Sequence, residues 1–272
     1  MSETLPEDRS SEPVTIDSMV SDLDALGIKT GQTLLVHGSL SSLGWVCGGA
    51  SAVIDALQRV VGEDGTIVMP THSPGNMAPS DMGNPPVPDS WYATIRKQMP
   101  PYRPEVTPTQ GMGAIAECFR SCPNVHRSDH PQVSFTAWGA DTQFVTENHS
   151  FGYSLGEESP LARIYDLGGD VLFLGTSHAT STSLHLAEYR ADLDLATETH
   201  ASAALVDGER EWVHWVDIDY DDDDFPACGE AFEGEHPDAF ETSTVGVGDA
   251  KLFSQPLLVD FAVGWFEANR ER

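Results

Sequence analysis

Lysine is almost absent from this 272-residue chain: Lys29, Lys97 and Lys251 are all there are. Lysine and arginine together number 14 against 43 aspartates and glutamates, a net charge of -29. Such a chain repels nucleic acid, which excludes that class of partner, and in dilute salt its self-repulsion works against the compact state. At molar salt the Debye length falls to about 3 Å and most of the repulsion is screened. The acids are spread along the chain rather than gathered in one tail. With lysine so scarce, the pattern fits a cytosolic protein of a halophile that accumulates salt; an ordinary acidic protein is the alternative.

Cysteine is also sparse. Cys47, Cys118, Cys122 and Cys228 contain no CxxC pair, and Cys118 and Cys122 stand four apart on an expected helix. Reduced thiols and no metal are the expectation. No run approaches the roughly 18 consecutive apolar residues of a membrane span, so no membrane partner is expected. The opening MSETLPEDRSSEPV lacks the basic and then apolar pattern of a secretory signal, which points to a cytoplasmic location. Residues 1–13 read as a disordered acidic tail and residues 14–272 as one folded domain. Oligomeric state is left open, a homodimer included.

What is present alternates between helical and strand signals. Ile16, Met19, Val20, Leu23 and Leu26 repeat at helical spacing, with Gly27 as a stop. Thr33 to His37 reads as a buried strand, a Gly- and Ser-rich loop follows to Gly49, and a helix carries Val53, Ile54, Leu57, Val60 and Val61 to Gly62. Gly65 to Pro70 is a second strand, so the order implies a parallel crossover and an α/β fold. Residues 71–110 are rich in proline, with one helix expected near Ser90 to Lys97; Trp91 and Tyr102 favour an ordered excursion. Further helices are expected from Met112 to Arg120, after the cap Ser159-Pro160, from Thr182 to Ala191 and from Leu257 to Asn269. Val171 to Gly175 reads as a strand, and residues 202–207 and 211–218, joined at Asp207-Gly208, as a hairpin. There is no internal repeat.

Three segments carry candidate chemistry. The loop from His37 to Gly49 leaves a strand and enters a helix, where backbone N–H groups and the helix dipole suit phosphate. It matches neither GxGxxG, nor a Walker loop, nor the GxSxG elbow of hydrolases. It is equally readable as a plain connection. In Thr182-Ser-Leu-His-Leu-Ala-Glu188, His185 and Glu188 stand at i and i+3 on one helix face, where a carboxylate fixes an imidazole's tautomer and favours proton abstraction. The competing reading is a buried structural histidine. In Arg127-Ser-Asp-His-Pro131, Asp129 and His130 serve either a substrate or the pinning of a loop. The other histidines, His72 and His149 among them, show no interpretable spacing. Asp217, Asp219 and the run Asp221 to Asp224 offer a wall for a cationic acceptor, against the plainer reading of a solvated acidic surface.

The order of motifs resembles the aminoglycoside 3-N-acetyltransferase family. The matching pieces are LLVHGSLSSLGWVCGGASAVIDAL, GTIVMPTHS, DSWYATIRKQMP, PTQGMGAIAECFR, RSDHPQVSFTAWG, GEESPLARIYDLGGDVLFLG and TSLHLAEYR, spanning about residues 30 to 191, with LLVDFAVGWFEANR a weaker match. The resemblance implies a single α/β domain with a mixed, largely parallel central sheet flanked by helices, plus the Pro-rich excursion. It implies transfer of acetyl from acetyl-CoA to an amine, typically of a 2-deoxystreptamine antibiotic, with no metal and a small-molecule amine as partner. By the same resemblance His37, Ser39, Leu40, Ser41, Gly44, Trp45, Val46 and Thr71 line the CoA site. His185 acts at the reacting amine with Glu188 behind it, and Arg127, His130 and Ser134 lie near the same cleft; with Asp129 from the residue reading, His130 and Ser134 are the expected substrate-binding residues. The family commonly reads His-Ser-Ser where this chain has His37-Gly38-Ser39.

The chemistry expected is direct attack of the amine on the thioester. The imidazole takes the proton, a service worth ~10²–10⁴-fold. Backbone N–H groups, or a hydroxyl at Ser39 or Thr71, would face the oxygen that gains charge. Cys47 has no activating base near it in sequence. Two rivals stay open at this point: a metal-dependent hydrolase using Asp129, His130, His185 and Glu188 as ligands, and a non-catalytic CoA or small-molecule binder.

Overall fold

The computed structural model describes residues 12–83 and 85–270. The expected tail therefore lies outside the described residues, apart from the exposed Glu12 and Pro13. In chain order the elements are α1 (Ile16–Leu26), β1 (Thr33–Gly38), α2 (Gly49–Val61), β2 (Thr66–Pro70), α3 (Tyr92–Gln98), α4 (Gly113–Phe119), β3 (His126–Arg127), β4 (Phe135–Gly139), α5 (Thr142–Thr146), α6 (Pro160–Asp166), β5 (Asp170–Leu174), α7 (Ser183–Arg190), β6 (Thr197–Val206), β7 (Glu209–Ile218), α8 (Phe225–Glu235), β8 (Phe240–Val245), β9 (Gly248–Ser254) and α9 (Gln255–Asn269). No helix among the described residues is long and apolar enough to cross a membrane.

Local chemistry accounts for many of these boundaries. Thr15 caps α1 with its hydroxyl, and Gly27 ends it at φ 102°, a left-handed conformation that a Cβ disfavours. The Ser159 hydroxyl accepts from the N–H groups of Leu161 and Ala162, and Pro160 fills the first helical position of α6. Asp207 and Gly208, at φ 51° and 81°, make the tight turn between β6 and β7, whose twist suits a two-residue hairpin.

Seven strands form one sheet in the order β3-β4-β2-β1-β5-β9-β8. Side-chain alternation splits its core in two. Leu34, Val36, Ile67, Met69, Leu172 and Leu174 face one layer with residues of α1, α2 and α4. Leu35, Val68, Val171 and Phe173 face the other, with residues of α6, α7, α8 and α9. The sheet is mixed as expected, but its parallel part is confined to the centre. β1 pairs in parallel with β2 and β5, and the remaining four pairings are antiparallel. Parallel pairs need long crossovers, whereas β8 and β9 are joined by a short turn and β3 and β4 by a short loop, and these connections permit antiparallel pairing.

The excursion after β2 is ordered, and backbone contacts show why. Tyr102 is buried, its N–H bonds Ala203 O at 2.8 Å and its hydroxyl donates to Ser128 O at 2.9 Å. Arg210 on β7 donates to Met99 O and Arg96 O. The hairpin thus clamps the excursion, which Trp91, 57% exposed, does not help to bury.

Candidate active site

The loops that leave the three parallel strands β1, β2 and β5 converge at the strands' carboxyl ends, where α/β sheets place their ligands. There they enclose a cleft of about 830 Å³. The β1 loop contributes His37, Ser39, Leu40, Ser41, Gly44, Trp45 and Val46, and the β2 loop contributes His72. Gly111 to Ala116 form another wall, and Thr176, Ala179 to Thr182, His185, Asp222 and Phe225 close the far side. The loop from Ser39 runs into the amino end of α2 through Gly48 and Gly49, both with positive φ. Gly49, the first residue of α2, lines the cleft, so the amino end of that helix adjoins it.

His185 sits on α7 with its side chain 14% exposed. Its Nδ1 lies 2.6 Å from Glu188 Oε2. A carboxylate only accepts, so Nδ1 carries a proton, and the neutral form of the ring has its lone pair on Nε2. Phe225 and Tyr220 pack edge-on to the imidazole with ring centres 4.8 and 5.3 Å away. Glu188 is 1% exposed and fully engaged: its Oε1 accepts from Arg270 Nη1 at 2.6 Å and from the Asp221 N–H at 3.2 Å. Such partners replace the water that a carboxylate this deeply buried has lost.

Two further imidazoles line the cleft. Burial, with His178 nearby, pushes His37 down to about 3. Burial, with smaller contributions from neighbouring imidazoles, His185 first, and from Arg127, pushes His72 down to about 3 as well. Both stay neutral near pH 7 and are poor proton acceptors there. His37 Nε2 approaches the Thr182 hydroxyl at 3.5 Å, whereas His72 Nε2 is buried without a hydrogen-bond partner.

The expected CoA-site residues of the β1 loop all reach the cleft, and Thr71 does not. It is fully buried, its hydroxyl donates to Ser134 O at 3.2 Å and accepts from Thr136 at 2.8 Å, and its N–H bonds Ser134 O. Thr71 is a joint between β2 and β4 and has no donor left for a thioester oxygen.

The expected substrate residues Asp129, His130 and Ser134 also lie off the cleft. His130 Nδ1 accepts from the N–H groups of Gln132 and Val133, and Nε2–H donates to Phe151 O at 3.1 Å, so both ring nitrogens are spent. Burial lowers it to about 4. Ser134 donates to Thr71 O and accepts from Arg127, whose guanidinium also holds Thr71, Ser73 and Thr107. Asp129 is an exposed residue of the same turn. This segment pins the excursion to the sheet, the plainer of its two readings. The four ligands of the hydrolase alternative are therefore not gathered. Among the described residues no group of three His, Cys, Asp or Glu is placed to hold a metal ion.

The acidic wall divides as well. Asp217 is fully buried, accepting from the Ser154 N–H and hydroxyl, Tyr189 and the Ile218 N–H, so it is an interior anchor. Asp219 is exposed and Asp224 pairs with Arg270. Asp222 alone of the run reaches the cleft, the sole carboxylate among its lining side chains in the described residues.

Sequence reasoning passed over His72, Met112, the hydroxyls of Thr176, Thr180 and Ser181, and Phe225. One available signal was the pair Gly111 and Gly113, which take φ of 76° and 82° and bring a backbone to the cleft wall.

Comparison with known proteins follows the same lines. The family model for aminoglycoside 3-N-acetyltransferase matches residues 35–267. The chain is 46% identical to a SPbeta prophage-derived aminoglycoside N(3')-acetyltransferase-like protein, YokD, of Bacillus subtilis, over 94% of each chain. The crystal structure of YokD superposes with a TM-score of 0.94 over 97% of this chain and 98% of that one, at 44% identity. Aminoglycoside N(3)-acetyltransferase VII of Streptomyces paromomycinus is 38% identical over 97% of this chain and 96% of its own. A solved structure of AAC-IIIb in binary complex with CoASH superposes with a TM-score of 0.85 at 27% identity, over 94% and 97%. On sequence and fold together, the chain belongs to the aminoglycoside 3-N-acetyltransferase family.

Proposed function

We propose that the cleft transfers acetyl from acetyl-CoA to an amino group of an aminoglycoside-like acceptor or another amine, with His185 as general base. The observation that carries this reading is the 2.6 Å contact between His185 Nδ1 and the buried Glu188 carboxylate, at the wall of the cleft. Glu188 fixes the tautomer and leaves Nε2 as acceptor for a proton of the attacking amine. The resulting imidazolium is stabilised by the same carboxylate, so attack and proton removal are coupled.

Acetyl-CoA supplies the activated acyl group. The residues that would hold it are those of the β1 loop, from His37 to Val46, with the amino end of α2 for its phosphates. A relative of the same fold forms a binary complex with CoASH, which supports acetyl-CoA as the donor. With Thr71 committed to the core, the donors near the developing negative oxygen are sought among Ser39, Thr180 and Thr182, whose side chains line the cleft. Asp222 is placed to attract a cationic acceptor. The charge of -29 and the three lysines support a protein that works in a salt-rich cytoplasm.

The test is release of free CoA thiol in molar potassium chloride, with acetyl-CoA and a panel of amines. Release that requires an amine is expected. His185→Ala is expected to lower kcat by roughly 10²-fold or more while leaving the fold intact. No acetyl-CoA binding by calorimetry at any salt would overturn acetyl transfer, and near-normal turnover of folded His185→Ala would remove His185 as the base.

A further inference from the structure

The carboxylate behind His185 is shared. One oxygen of Glu188 faces the imidazole, and the other faces a guanidinium that arrives from 82 residues away in sequence. Arg270 follows the last residue of α9, and its side chain is 10% exposed. Its central carbon lies over the Phe266 ring, 3.9 Å from the ring centre. Nη1 donates to Glu188 Oε1 at 2.6 Å, and Nε and Nη2 form a fork on Asp224 at 2.8 and 2.6 Å. Nη2 also donates to Asp221 O at 2.6 Å, and the Asp221 N–H returns a bond to Glu188 Oε1. Although burial opposes the charge on Arg270, the Asp224 and Glu188 carboxylates hold its pKa above the ordinary arginine value.

This arrangement does two things that neither α7 nor α9 achieves alone. A carboxylate 1% exposed needs a cation and N–H donors in place of its water, and Arg270 is the cation. The fork on Asp224 also fixes the plane of the guanidinium, so that Nη1 holds one oxygen of Glu188 while the other is presented to His185. Resting on the assignment of His185 as base, we propose that Arg270 is a positioning residue for acetyl transfer: it holds Glu188 aimed at His185, and its charge tempers how strongly that carboxylate stabilises the imidazolium. It touches neither reactant.

The groups that face His185 bear on the pH dependence. They are Glu188 on its own helix, Tyr220 and Asp222 from the segment after β7, Phe225 from α8, and His72 from the β2 loop, with Arg270 and Asp224 behind Glu188. Burial keeps His72 and Tyr220 uncharged over the range of an assay, leaving Glu188, Asp222, Asp224 and Arg270 as the fixed charges. Removing the positive one favours the imidazolium and moves the acid limb of kcat/KM to higher pH. Removing Asp224 does the opposite.

The experiment compares wild type, Arg270→Gln, Arg270→Lys, Glu188→Gln, the double variant Arg270→Gln/Glu188→Gln and His185→Ala, all full chain. Thiol release is measured in molar potassium chloride with acetyl-CoA and a 2-deoxystreptamine aminoglycoside. Arg270→Gln is expected to lower kcat roughly 10- to 100-fold, with KM for acetyl-CoA within about twofold, and to raise the acid limb. Arg270→Lys, which keeps the charge and loses the fork, is expected to recover part of the rate and all of the pH profile. In the Glu188→Gln background the same change is expected to cost less than about twofold, because the link is already cut. An equal loss in both backgrounds, or a full rate in folded Arg270→Gln, overturns the positioning role. Should Arg270→Gln not fold, Asp224→Asn carries the test, and an acid limb that does not move down overturns it. The His185→Ala arm stands apart: activity retained there refutes His185 as base, whereas activity lost there with no coupling between Arg270 and Glu188 refutes only the present inference.

Discussion

Acidification from about pH 8 to about pH 5 is expected to remove much of the stability of the fold, and the loss is assigned to named imidazoles. Burial is the main cause of low values at His37 and His72, each about 3, and at His130, about 4, against 6.5 for an unperturbed histidine. A histidine held neutral in the native state contributes stability that is fully present above 6.5. It is lost as pH falls from there toward the native value, because the unfolded chain takes up a proton that the native one refuses. At pH 5 each of the three costs about 2 kcal/mol, and together about 6 kcal/mol. His149, also buried and held well below 6.5, adds to the loss with the same sign. A sum of that size is a large part of the ~5–15 kcal/mol by which a domain is stable. Protonating carboxylates works in the other direction by relieving a charge of -29, but the ordinary carboxylate range lies near 4, below this window. The assay is denaturant unfolding at fixed molar potassium chloride across this range, with proton uptake on unfolding measured separately. Three or more protons taken up near pH 5.5 are expected. Uptake of one proton or fewer would refute the assignment, because it would mean that these imidazoles are already charged in the folded protein.

Two other expectations follow from the same interior and surface. Asp217→Asn, which weakens acceptance from Ser154, Tyr189 and the Ile218 N–H, is expected to cost about 3 kcal/mol in denaturant midpoint analysis and to leave KM for the amine unchanged; a raised amine KM at full stability would return Asp217 to the acceptor site. Replacing the exposed Asp223 together with other exposed acids by Asn is expected to lower the potassium chloride concentration at which half the protein is folded, followed by circular dichroism, and an unchanged salt requirement would sink the salt-adapted reading.

Much of the molecule was decided by neighbours along the chain. The helix ending at Gly27, the cap at Ser159-Pro160 and the turn at Asp207-Gly208 rest on capping and φ preferences that a few residues impose by themselves, so they were legible in the sequence. His185 and Glu188 were legible for the same reason, since i and i+3 meet on any helix. Resemblance to a known family supplied the cleft-lining loop from His37 to Val46. What the sequence left undecided depends on distant partners. β8 and β9 carry short polar-apolar alternation that becomes a hairpin only beside β5, and β3 is two residues long. His130 carries the marks of a site residue in sequence, yet its ring nitrogens are consumed by the turn around it and by Phe151. Thr71 turns inward because β4 lies antiparallel to β2 and offers Ser134 and Thr136 as partners. The Asp221 to Asp224 run reads as plain acidic surface until Arg270 arrives from the end of α9 and ties Asp224 to Glu188. Local propensity fixes dihedrals within a few residues, whereas the commitment of a polar atom to the core or to the cleft is settled by whichever distant donor or acceptor the packed fold brings within about 3 Å.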